Sequence, residues 1–99
     1  MNTPHPNAAE TKSLLAALVA AGFELLHCNN GGDEDEPPTL ENLCCCDEAG
    51  LVVKAPDGRK LSIFLVMGNS PGELVADYTV HSLLDTVISA ESQKWSKGT

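Results

Sequence analysis

At 99 residues, 42% hydrophobic and 20% charged, the chain is sized and composed for one globular domain spanning residues 1–99, not for wholesale disorder. Fourteen acids against six bases give a formal net charge of −8. That balance argues against direct contact with nucleic acid or an anionic membrane, because neutralising phosphate requires Lys and Arg.

The charge is uneven along the chain. Residues 1–50 hold nine acids against Lys12, whereas residues 51–99 hold five of each sign. Aromatics are limited to Phe23, Phe64, Tyr78 and Trp95, so the core must be aliphatic. The longest apolar run, residues 14–23, is about half the ~20 residues that a membrane span needs. With Glu10 and only Lys12 before it, that run also lacks the positive start of a signal peptide. A cytoplasmic protein with reduced thiols is the expectation.

Residues 1–7 are broken by Pro4 and Pro6 and read as a loose tail. Asn7 and Glu10 have the spacing of a capping box for a helix over about 8–21. Leu14, Leu15, Leu18 and Val19 recur at helical spacing within it, and Gly22 offers the stop. "FELLHC" at 23–28 reads as a short strand with Phe23, Leu25 and His27 on one face. An acidic loop over 29–38 follows, marked by two glycines, two prolines and the run Asp33, Glu34, Asp35 and Glu36.

"TLENLCCC" at 39–46 fits either a short helix capped by Thr39 or an extended segment. The extended reading is preferred, because "DEAG" at 47–50 suits a hairpin connection into a strand over 51–55. Pro56 and Asp57 then form the middle of a type I turn, with Gly58 at the position that needs a positive φ. "LSIFLVM" at 61–67 reads as a central strand, apolar on both faces. After a turn at "GNSPGE", "LVADYTV" at 74–80 returns. A last helix opens with Ser82 as N-cap and Asp85 in its first turn, and carries a stripe of Leu84, Val87, Ile88, Glu91 and Trp95. Together these elements predict a two-layer α+β domain. It is an antiparallel meander of four or five strands with an N-terminal and a C-terminal helix on one face.

No catalytic constellation stands out. Cys28 is isolated and Cys44, Cys45 and Cys46 are consecutive, whereas metal sites favour pairs spaced C-x2–4-C so that two ligands reach one ion. Cys28, Cys44 and Cys46, with His27, come together only if strands at 23–28 and 42–46 pair. That arrangement is the thiol or metal-binding alternative to burial as small hydrophobes. His27 faces away from its neighbour Cys28 on a strand, and His5 and His81 have no motif around them. No catalytic residue, metal ligand or cofactor is therefore assigned. The acids at 33–36 lack the alternating ligands and turn glycine of a calcium loop, and are read as a solvated run and a candidate protein contact.

The "DGRK" turn, the stretch "VMGNSPGELVADY" and a closing helix ending near Trp95 lie within residues 51–96. In these features the chain resembles small uncharacterised proteins carried on plasmids, integrons and other mobile elements. The resemblance implies an accessory gene and transfers no activity to any residue. The expectation is a non-enzymatic protein-interaction module with an unknown protein partner, for which the acidic charge permits a basic surface. It is expected to self-associate as a homo-oligomer such as a dimer, through an exposed edge strand.

Overall fold

The computed structural model describes residues 8–29, 35–43, 48–66 and 74–97. Three helices, α1 (Ala8–Ala20), α2 (Leu40–Leu43) and α3 (Ser82–Lys97), accompany four strands, β1 (Glu24–Asn29), β2 (Glu48–Lys54), β3 (Lys60–Val66) and β4 (Val75–Tyr78). The strands form one antiparallel meander in the order β1-β2-β3-β4. Helices α1 and α3 share one face of it, as the α+β reading requires. Leu14 and Leu18 of α1 and Leu84 and Ile88 of α3 join Leu51, Val53, Leu61, Ile63 and Leu65 of the sheet in a single buried cluster.

Helix α1 ends in a Schellman motif. Gly22 sits at φ +99°, its N–H bonds Val19 O at 3.0 Å, and Phe23 N–H bonds Leu18 O at 3.0 Å. Both Leu18 and Phe23 are buried, which supplies the apolar contact that accompanies this cap. The buried stripe of α1 is Thr11, Leu14 and Leu18, while Val19 faces outward at 57% exposure. The Asn7 cap lies outside the described residues.

The β2–β3 turn follows the sequence closely. Gly58 N–H bonds Ala55 O at 2.9 Å across Pro56 and Asp57, and Ala55 N–H bonds Arg59 O at 2.8 Å. Gly58 takes φ +94°. This is a type I turn followed by a left-handed residue, whose twist matches the strands on either side.

Several expectations need correction. The segment after Thr39 is helical, not extended: Thr39 O accepts Leu43 N–H at 3.0 Å and Thr39 Oγ1 accepts Asn42 N–H at 3.2 Å. Asn42 Nδ2 also donates back to Pro37 O at 2.8 Å, and Leu43 is fully buried, so this single turn is held by its ends and its one anchor. Residues 44–47 lie outside the described residues. Strand β2 starts at Glu48, so "DEAG" is not a free hairpin loop.

In β1 the register shifts between Leu25 and His27. The bulge puts Leu25 and Cys28 on the inner face, opposite Val53 and Leu51, and His27 on the outer face opposite Val52. Leu25 and His27 therefore do not share a face. Strand β3 is central, but only one of its faces is covered: Leu61, Ile63 and Leu65 are buried while Ser62 and Phe64 are exposed.

Both sheet edges are blunted. Cys28 N–H bonds Glu36 O at 2.9 Å and Glu36 N–H bonds Cys28 O at 2.8 Å, so the chain folds back along β1 just before Pro37, which has no N–H to offer. On β4, Thr79 N–H turns inward to Ser62 O, so strand alternation turns Tyr78 N–H outward, where Asp77 Oδ1 takes it at 2.9 Å. Strand addition is hindered at both edges.

Gly58→Val places a β-branched side chain at a left-handed position with open space around it, so the cost is backbone strain alone. Urea unfolding should show a loss of about 1–2 kcal/mol; an unchanged midpoint would mean that the turn relaxes to another type.

Candidate functional site

Polar side chains of the described residues concentrate where β4 runs into α3. His81, 9% exposed, is the N-cap of α3, in place of Ser82: its carbonyl accepts Asp85 N–H at 2.8 Å and its Nδ1 accepts Leu84 N–H at 3.5 Å. Because Nδ1 is an acceptor, Nε2 carries the proton and donates to Asp57 Oδ2 at 3.0 Å. The ring also meets Phe23 edge-on, with centroids 6.2 Å apart and planes at 69°. Both ring nitrogens thus face a partner within the fold. Sequence reasoning passed over His81 because its partners lie 24 and 58 positions away.

Asp57 is held by two neighbours. Arg59 N–H donates to its Oδ1 at 3.0 Å, and His81 reaches Oδ2. These bonds hold its carboxyl below the ordinary value of 3.8, the Arg59 amide being the largest cause. The Arg59 guanidinium, 3.7 Å from Oδ2, adds a weaker attraction on the surface.

Beside this corner lies a cavity of about 450 Å³, lined by Asp77, Tyr78, Val80, His81, Ser82 and Asp85. Tyr78 Oη donates to Asp85 Oδ1 at 2.5 Å, and the carboxylate raises the phenol above its ordinary value of 10.0. Tyr78 is consequently a fixed donor at neutral pH and not a base. Asp77 faces solvent, as expected, opposite Phe64; Arg59 pairs with Asp57.

Of the acids singled out in the sequence, Asp33 and Glu34 lie outside the described residues. Asp35 is exposed, with Oδ1 3.5 Å from His27 Nδ1 but without hydrogen-bond geometry, and Glu36 is the residue bridged to Cys28. The structure therefore ties one end of the acidic run to β1 and His27. Cys28 is fully buried, its thiol donating to Pro37 O at 3.4 Å. Cys44, Cys45 and Cys46 lie outside the described residues, as does His5. Among the described residues no three His, Cys, Asp or Glu side chains are grouped to hold a metal ion.

The second feature of the molecule is its open sheet face. The outward residues are Glu48, Gly50, Val52 and Lys54 on β2, and Lys60, Ser62, Phe64 and Val66 on β3. No described helix covers them. Phe64 is 39% exposed at the centre, with Val52 half-buried near it. Glu24, Lys54 and Lys60 form one row across the strands, and Glu48 stands at the far end of β2.

Two titrations check the corner. The depressed pKa of Asp57 means the folded chain binds this proton less tightly than the unfolded chain. Its stabilisation is present above the unfolded value and is lost as pH falls through the folded one. Denaturant midpoints measured from neutral to strongly acid pH should therefore fall less steeply below about pH 4 in Asp57→Asn; parallel curves would refute this. Tyr78, the one tyrosine in the chain, should ionise above pH 10 by ultraviolet absorbance, and Asp85→Asn should lower that midpoint.

No helix of the described residues is long and apolar enough to cross a membrane. Comparison of the chain with family models, curated proteins and solved structures returns no match.

Proposed function

We propose that the chain is a non-enzymatic protein-interaction module that works in the cytoplasm, binds other proteins and associates with itself. The observation that carries this reading is the one-sided sheet. Helices α1 and α3 pack on one face and bury its centre, while the other presents Phe64 and Val52 within a frame of charged residues. Aromatic side chains are enriched at the centres of protein contacts. The acidic segment adds a second element, because its end is bound along β1 through Glu36 and presents Asp35 next to the open face. Asp33 and Glu34 belong to the same run and extend it in sequence. Carriage as an accessory gene on a mobile element is the role that the resemblance of residues 51–96 suggests for such a module.

Affinity capture from host lysate tests the reading with three forms: wild type, a variant with Ala at Asp33, Glu34, Asp35 and Glu36, and Phe64→Glu. A protein or second copy retained by wild type and depleted at least about tenfold by either variant is the expected outcome. Equal retention by all three, or empty eluates together with a strictly monomeric protein, would overturn the reading.

A further inference from the structure

We propose that the open sheet face packs against the same face of a second copy of this chain, about a two-fold axis running across the strands. This rests on the interaction-module reading and specifies both surface and partner.

Charge placement is the first ground. Lys54 and Glu48 stand at opposite ends of the outward side of β2, roughly 20 Å apart, and cannot neutralise each other within one chain. Lys54 has Lys60 beside it on one side and Glu24 on the other, while Asp77 shares the half that holds Glu48. A chain of net charge −8 thus sets Lys54 and Lys60, with Glu24 as their one acidic neighbour in the row, at one end of this face and Glu48 and Asp77 towards the other. A two-fold axis across the strands lays β2 over β2 with direction reversed, so Lys54 of each copy meets Glu48 of the other. Because such a contact is isologous, the pair forms twice. An axis along the strands would instead set Lys54 over Lys54, and the charges choose between the two.

The centre of the face is the second ground. Gly50 lies mid-strand without positive φ, and the β2–β3 register runs through it unbroken. Glycine there weakens a strand, and the fold does not require it: a Cβ would meet only Asn29 O, at 3.8 Å. Its absence leaves a notch on the outer face. The two-fold axis brings both Phe64 rings to the centre, each against Val52 of the other copy, with the notch giving the ring room. The blunted edges bear on the same choice, because strand addition at Glu36 or Asp77 is obstructed while no described helix covers the face. At roughly 19 by 24 Å the face is smaller than a standard interface, so the dimer is weak and concentration-dependent.

Sedimentation equilibrium over micromolar to millimolar protein, at low and high salt, provides the test. Wild type should pass from monomer to dimer, less readily at high salt. Lys54→Glu and Glu48→Lys should each weaken association about tenfold or more, and the double exchange should restore it to within about threefold. Gly50→Val should keep the monomer folded by circular dichroism yet abolish association, as should Phe64→Glu. A monomer at every concentration overturns the proposal; if that monomer still captures another protein through Phe64, the interaction-module reading survives and only the self-pairing fails. A dimer indifferent to Lys54→Glu, Gly50→Val and Phe64→Glu also overturns it, as does a double exchange that restores nothing.

Discussion

One imidazole ring joins three parts of the chain that are far apart in sequence. His81 accepts the Leu84 amide at the start of α3, donates to Asp57 in the β2–β3 turn, and lies edge-on to Phe23 at the end of α1. Close by, Pro56 of the same turn lies 3.1 Å from where a Cβ on Gly22 would be, so the end of α1 sits directly on the turn. Each contact is modest alone, since a satisfied hydrogen bond contributes roughly 0.5–1.5 kcal/mol net. Their common location is what matters. A helix end, a turn and a helix start meeting at one corner put both helices on the same side of the sheet. A second tie between them, from Ser13 Oγ to the buried carboxylate of Glu91, holds the helices together further along.

That one-sidedness leaves the surface on which the proposed contact rests. A four-stranded sheet has two faces, and the helices supply enough apolar area for one. The other must be tolerable to water or be covered by a partner. Here it is mixed: Ser62 with its charged rows suits water, while Phe64 and Val52 suit a contact. Strand edges, the other common route to association, are closed by Glu36 and by the Asp77 carboxylate. The proposed contact therefore uses the face rather than the rim. The buried Cys28 is absorbed into the core, and the cavity beside Tyr78 has its phenol and His81 committed to internal partners.

Local features were legible wherever the signal lay within a few residues. The Pro56–Asp57–Gly58 turn, the Gly22 stop, the strands flanking the turn and the amphipathic stripe of α3 all follow from short-range chemistry. The Thr39 cap was visible but weighed too little against an extended alternative, since a four-residue helix has no periodicity to announce it. The bulge at Leu26 was not legible, because alternation counts faces correctly only until an extra residue is inserted. Strand β3 was misread for a related reason. Ser62 and Phe64 are outward among apolar neighbours, and a phenylalanine in a run of Ile, Leu and Val reads as core. Of the acidic run, composition marked it as polar, but nothing in it announced that Glu36 would bridge Cys28.

By itself the sequence determined the α+β class, the meander and the two long helices, because turn residues and hydrophobic spacing act over distances of two to seven positions. Tertiary structure alone settled which side of the sheet stays open, that His81 and not Ser82 caps α3, and that Glu91 is buried against Ser13. The cap itself is local, but the His81–Asp57 and Ser13–Glu91 pairs span 24 and 78 positions of the chain. Such pairs leave no local pattern, since each residue's type is ordinary until folding places its partner beside it.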